Sequence, residues 1–240
     1  MKPALLFRSG ACPPAWNMAL DEALLTHVAG LGRPVLRFYG WTEPAATFGY
    51  FQHHAEIAPA TRLRPPIRRP TGGGLVPRPV AGDPRRAGLV PHDADWTYSL
   101  TVPTGSDWYA LRAEDSYRAM HEWVAAAFCR LDVPAELAAC CRKEVPGRCF
   151  AGYEKYDVLW LGRKIAGAAQ RRNRLGLLIQ GSVQPPPGVA RGDWEAAMAG
   201  TVPALLAAGL AAARLPAETH SLAGQLAEAK YSRDDYNQRR

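Results

Sequence analysis

The coarse pattern of the sequence is compatible with an α+β domain, and two features give that reading. Short β-prone runs bounded by turn residues recur as adjacent pairs, and between them lie stretches whose apolar residues fall at helical spacing. With 240 residues, 48% of them apolar, the chain can bury a full core, so residues 1–240 are read as a single domain.

Each element follows from local pattern. Residues 17–25, NMALDEALL, come after Pro13-Pro14 and predict a helix packed on a sheet, with Met18 and Leu25 in the core. Residues 34–39 and 46–50 are β-prone runs separated by the turn-like Thr42-Glu43-Pro44 and predict a hairpin. A further strand is expected over 95–102, ending at Pro103. Residues 116–131 predict a long amphipathic helix with Tyr117, Met120, Trp123, Val124, Ala127 and Phe128 on its apolar side, covering the sheet.

The run 149–183 is the centre of the chain. Residues 156–161 read as a strand, Gly162-Arg163 as a turn, and Lys164-Ile165-Ala166-Gly167 as the return strand of a hairpin. A basic turn then leads to a third strand over 177–183. This arrangement puts Lys164, Gln170 and Ser182 near strand ends, where a sheet offers polar groups to a site. After Pro185-Pro186-Pro187-Gly188, short alanine- and leucine-rich helices are expected over 194–198, 202–213 and 221–229, and a frayed end over 234–240.

Composition narrows the function classes. The formal net charge is +7, which fits nucleic acid, but the arginines are spread over loops without aromatic interleaving or a recognisable nucleic-acid motif, and an acidic protein partner explains the charge equally well. No apolar run reaches the roughly 18 residues a bilayer span needs, and residues 1–6 are too short for a signal peptide, so no membrane association and a cytoplasmic location are expected. Five cysteines without a CxxC pair suggest neither a disulfide framework nor a zinc site. His53-His54 has no further ligands beside it, so no metal is expected.

Two motifs carry chemistry. In Arg68-Arg69-Pro70-Thr71-Gly72-Gly73-Gly74, three glycines let backbone N–H groups approach a ligand while an arginine pairs with an anion. In GRKIAGAAQRR followed by LLIQGS, Lys164 stands beside glycines in a strand pair, with Cys149 upstream. Taken in this order, RRPTGGG and GRKIAGAAQRR…LLIQGS resemble the glycine-rich and lysine motifs of the biotin/lipoate A/B protein ligase family. NMALDE near the N-terminus and DWTYSL at 95–100 are similar to further segments of that family. The spacing from Cys149 to Lys164 resembles the family's LipM-type octanoyltransferase branch. One departure is a repeat: GLVP at 74–77 recurs at 88–91, so residues 78–91 read as an inserted, mobile loop that separates the glycine run from His92.

The resemblance implies a mixed, largely antiparallel sheet with flanking helices, as in class II aminoacyl-tRNA synthetases and biotin ligases. It implies catalytic roles for Cys149 and Lys164. Substrate-binding roles fall to Arg69, Thr71, Gly72, Gly73, Gly74, His92, Gly167 and Gln170, with Trp41, Phe48 and Tyr50 along the acyl pocket. The implied reaction moves an octanoyl or lipoyl group from acyl carrier protein to a lysine of a lipoyl domain or glycine cleavage H protein, through a cysteine thioester and with no cofactor. The alternative within the family is a lipoate-protein ligase that uses ATP and Mg²⁺ to make an acyl adenylate. A third reading is a non-catalytic member that binds an acyl group or carrier. The resemblance leads to the expectation that the C-terminal accessory domain of some ATP-dependent ligases is absent.

Overall fold

The computed structural model describes residues 2–72, 89–142 and 152–239. In chain order its elements are β1 (Ala4–Cys12), α1 (Pro14–Leu31), β2 (Val35–Trp41), β3 (Ala45–Phe48), α2 (His54–Ile57), β4 (Pro66–Arg68), β5 (Val90–His92), β6 (Trp96–Pro103), α3 (Asp107–Ala110) and α4 (Ala113–Cys129). There follow β7 (Ala135–Leu137), β8 (Val158–Trp160), β9 (Arg163–Asn173), β10 (Gly176–Val183), α5 (Arg191–Gly200), β11 (Leu210–Ala212), α6 (Ala217–Leu226), a π-helical turn (Ala227–Tyr231) and α7 (Asp234–Asn237).

Eight strands form the main sheet in the order β11-β1-β2-β6-β10-β9-β8-β7, and β4-β3-β5 form a smaller one. In the main sheet β1 runs parallel to β2 and β11, while the pairings from β2 through β7 are antiparallel. The mixed, largely antiparallel α+β fold expected from the sequence is therefore present.

Strand alternation divides the main sheet into a dry face and a polar one. Leu36, Phe38, Tyr98, Leu100, Leu177 and Ile179 point to one side and pack with Trp123, Phe128 and Trp194. On that side Tyr98 stands opposite Gly181 in register, and a Cβ on Gly181 would come within 2.1 Å of its ring, so the glycine is what lets the ring lie flat on the strand. The other side carries Arg37, Ser99 and Gln180, which register aligns in one row across β2, β6 and β10.

Helix α1 lies over that polar row and supplies its counter-charge. Pro14 opens the helix and Gly32, at φ 62, closes it by donating its N–H to Val28 O. Between them Asp21, fully buried, accepts from Arg37 Nη1 at 2.7 Å, Ser99 Oγ at 2.7 Å, Gln180 Nε2 at 2.7 Å and Tyr39 Oη at 3.2 Å. Asn17 on the previous turn takes Arg37 Nη2 at 2.6 Å. One carboxylate thus fixes how helix, sheet and site fit together.

Four expectations are corrected. Residues 34–39 and 46–50 do not form a hairpin: β2 already has β1 and β6 on its two edges, so the chain leaves the main sheet at 42–44 and β3 joins β4 and β5 instead. Residues 202–213 are not a helix, because Pro203 and Gly209, at φ 130, interrupt the run and Leu210–Ala212 docks on the free edge of β1. The end is not frayed: α7 buries Tyr236 and Asn237, and Asn237 Oδ1 accepts the backbone N–H of Arg68 at 2.9 Å. The inserted segment 78–91 is not loop throughout, since Leu89 is buried beside Phe48 and Ile57, and Val90 and Pro91 pair with β3. Its other residues, 78–88, lie outside the described residues.

Candidate active site

The site is built on one strand edge. Strand β8 pairs with β9 only as far as Ala166, and further along β9 the N–H of Gly72 donates to Gln170 O at 3.3 Å. Between these two contacts lies the half-buried run Gly167-Ala168-Ala169. Gly167 and Ala169 leave a floor open between the lysine hairpin on one side and the segment 69–72 on the other, while Ala168 packs on the main core.

Lys164 crosses this floor. Its Nζ donates to Asp157 Oδ2 at 2.7 Å, and its side chain is 30% exposed against a fully buried Asp157. The aliphatic end of the lysine passes directly over Gly167, where an added Cβ would lie 2.7 Å from both Cε and Nζ. Gly167→Ala is therefore expected to fold, because the clash is with the far end of a flexible chain. It would displace the ammonium and lower turnover about tenfold, the equivalent of ~1.4 kcal/mol, while melting within a few degrees of wild type. Steady-state rates with a parallel melt check this.

A chain of polar contacts reaches the same floor from the small sheet. Arg69, buried, donates Nη1 to Thr47 Oγ1 at 3.2 Å, and Thr47 Oγ1 meets His92 Nε2 at 2.8 Å. His92 Nδ1 faces Asp95 Oδ2 at 2.8 Å, and Ser182 Oγ donates to the same Oδ2 at 2.7 Å. Ser182 is the register partner of Gly167, so the chain ends next to the lysine. The order of donors assigns His92 the tautomer with its proton on Nδ1, with Nε2 accepting from the Thr47 hydroxyl. Trp41 stacks on His92, ring centroids 4.0 Å apart, and its Nε1 donates to Thr97 Oγ1 at 2.8 Å. Burial pushes the Arg69 guanidinium down to about 10, and among the described residues its Nε has no partner, so the group retains a donor for a bound anion or carbonyl.

Thr71 joins through a second relay, its Oγ1 donating to Gln180 Oε1 at 2.7 Å while Gln180 Nε2 donates to Asp21. Lys164, Gly167, Arg69, Thr71, Gly72, His92 and Trp41 are thus tied to one region by these contacts. Gln170 belongs there only through its main-chain carbonyl. Its side chain turns to the opposite face, where Oε1 accepts from Ser116 Oγ at 2.9 Å and Nε2 donates to Ala113 O at 2.6 Å. Phe48 sits in the separate small core with Ala46 and Ile57, under the Arg68 guanidinium. Tyr50 binds Thr71 O through its N–H at 2.9 Å, and its ring lies beneath Arg171 and Arg239. Arg239, hydrogen-bonded to it, lowers the phenol's pKa. Cys149, Gly73 and Gly74 lie outside the described residues. A cavity of about 450 Å³ is lined by Trp41, His92, Asp95, Gly40, Pro44 and Arg191 among others, and Lys164 is not among its walls.

Sequence reasoning missed Asp157, Asp95, Thr47 and Gln180. Asp95 stands three residues after His92, and Gln180 is the one polar residue inside LLIQG, so each carried a local signal. Asp157 reads as the polar start of a strand, and its pairing with Lys164 depends on the hairpin closing back on itself. No helix among the described residues is long and apolar enough to cross a membrane.

This fold and these motifs have known counterparts. The chain is 36% identical over 184 residues to an octanoyltransferase LipM of Geobacillus kaustophilus, a match that covers 73% of this chain and 63% of that relative. In structure it is similar to a lipoate-protein ligase A bound with ATP, at a TM-score of 0.75 and 20% identity with 99% of each chain covered. It is also similar to a bi-partite lipoate protein ligase of Thermoplasma acidophilum, at a TM-score of 0.72 and 20% identity with 99% of this chain and 97% of that one covered. The lipoyl protein ligase A/B catalytic domain matches residues 13–78 and 87–184, leaving a break at 79–86 within the segment read as inserted. The chain belongs to the lipoyl protein ligase A/B catalytic domain family.

Proposed function

We propose that the protein is an acyltransferase of protein lipoylation, which moves an octanoyl or lipoyl group from acyl carrier protein to a lysine of a lipoyl domain or glycine cleavage H protein. The observation that carries this reading is Lys164, an ammonium laid across a glycine floor in a chain 36% identical to an octanoyltransferase LipM. The structural neighbour from Thermoplasma acidophilum was solved as a ligase and its E2 lipoyl domain, which supports a lipoyl domain as acceptor. The net charge of +7 suits acidic carrier domains.

In the first half-reaction the Cys149 thiolate attacks the donor thioester carbonyl, and collapse of the tetrahedral intermediate breaks the donor's C–S bond and releases its thiol. In the second, the acceptor lysine's amine attacks the acyl-cysteine carbonyl, an amide C–N bond forms, and the Cys149 thiol is released. A cysteine with a pKa of ~8.5 is mostly protonated at neutral pH, so the reaction needs a cation near the sulfur, and Lys164 fills that role. The ammonium, the Gly72 segment and Arg69 stabilise the oxyanion that forms in both steps. The residues called substrate-binding act here as the floor, Gly167, and as the polar wall of Thr71 and His92, with Trp41 closing it. The protein acts in the cytoplasm on this reading, without a cofactor.

Incubation with octanoyl carrier protein and intact-mass analysis tests it. An octanoyl adduct is expected on the wild type and is expected to be missing from Cys149→Ser. No adduct, together with transfer that depends on ATP and Mg²⁺, would replace this reading with the lipoate-protein ligase.

A further inference from the structure

Lys164 is held from outside the two motifs, by helix α4. Asp157, the residue that receives its Nζ, has both carboxylate oxygens engaged: Oδ2 also accepts the backbone N–H of Glu154 at 2.8 Å, and Oδ1 accepts Tyr117 Oη at 2.6 Å. Tyr117 lies on the first turns of α4, a helix whose N-terminus carries Glu114 and Asp115 and whose inner face is buried on the sheet. The ring of His121, one turn further on, stands at 87° to that of Tyr117 with centroids 4.3 Å apart. His121 is fully buried, and burial depresses its pKa to about 4 against the opposing pull of Asp157, so at neutral pH it packs against the phenol as a neutral ring. Burial, and next Asp157, raise the Tyr117 phenol well above its ordinary value, so it remains a donor.

We infer that Tyr117 is a positioning residue for the candidate catalytic lysine: its hydroxyl locks one oxygen of Asp157, which leaves the other aimed at Lys164 and so fixes the ammonium over Gly167. A buried carboxylate with only the lysine and one backbone N–H could rotate about its terminal torsion, because that torsion is broad for aspartate. The tyrosine removes this freedom by a short, charge-assisted bond, the strong class of hydrogen bond. The result is an ammonium placed before substrate arrives, which is the requirement for stabilising a developing oxyanion. The apolar spacing of the helix places Tyr117 among its core residues. Its ring is core, but its hydroxyl faces the site.

The inference rests on the proposed function for its kinetic arm only, so the experiment has two arms. In the first, wild type, Tyr117→Phe and Asp157→Asn are treated with trace acetic anhydride, and peptide mass mapping gives the labelling of Lys164 relative to Lys230. Lys164 is expected to label several-fold faster in both variants. Unchanged labelling in Tyr117→Phe, with the fold intact by circular dichroism, would overturn the inference. In the second arm, Tyr117→Phe is expected to lower kcat for octanoyl transfer about tenfold and to leave KM for the carrier within about twofold, as for loss of a hydrogen bond to a charged group. A merely structural role would lower melting temperature without that split, and wild-type kcat would also overturn the inference. Should the wild type transfer no acyl group, the proposed function fails while the labelling comparison still decides the role of Tyr117.

Discussion

Lys164→Ala is expected to bring octanoyl transfer from carrier protein to lipoyl domain down to background, a loss of about 10³-fold. Removing one oxyanion donor from a preorganised site commonly costs ~3–4 kcal/mol of transition-state stabilisation, and in the proposed mechanism this lysine serves both tetrahedral intermediates and the thiolate as well. The substitution has a second consequence that must be separated from the first. Asp157 is fully buried, and without Nζ its carboxylate retains, among the described residues, Tyr117 and a backbone N–H as partners. An uncompensated buried charge destabilises, so the alanine variant should also melt lower. The double variant Lys164→Ala/Asp157→Asn removes the charge together with its partner and is expected to recover the melting temperature but not the activity. Turnover is read as octanoyl-lipoyl domain formed per minute. Wild-type rates in Lys164→Ala would remove the lysine from the mechanism.

The chemistry of this site was legible where it is written in short range, and not where it depends on how the sheet closes. RRPTGGG and GRKIAGAAQRR mark the two segments that the structure brings to one floor, because a glycine that makes room for a neighbour leaves a mark in the sequence itself. The hairpin of β8 and β9 followed from its own turn at Gly162. The pairing of β3 could not be read in the same way. Residues 45–48 look like the return strand of a hairpin, and only the presence of β1 and β6 on both edges of β2 forces them elsewhere. The same limit hid Asp157, which meets Lys164 only once the hairpin has closed and Tyr117 only once α4 has packed. Gln170 is the converse case. The motif pointed to its side chain, but alternation along β9 turns that side chain to α4 and leaves the site its carbonyl.

Asp21→Asn is expected to cost the fold about 3–5 kcal/mol, the usual range when one partner of a buried ion pair is removed, and so to lower the melting temperature by roughly 10 °C for a chain of this size. The substitution is nearly isosteric, so little of the loss comes from packing. Arg37 would retain its bonds to Ser9 Oγ and to Asn17, but the fully buried guanidinium would have lost the carboxylate at 2.7 Å. The amide also brings two N–H groups into a shell made of donors, since Arg37, Ser99, Gln180 and Tyr39 all donate to Asp21. One of those donors must turn away, and Gln180 is the one whose rotation reaches the site, because its Oε1 holds Thr71 Oγ1. Loss of activity is therefore expected at temperatures well below the melt, as a rise in KM for the acyl donor with Lys164 still in place over Gly167. Denaturant unfolding and steady-state kinetics on the same preparation separate the two effects. Unchanged stability in Asp21→Asn would mean that the carboxylate is not what joins α1 to the sheet, and unchanged KM in a destabilised variant would break the link from Asp21 through Gln180 to Thr71.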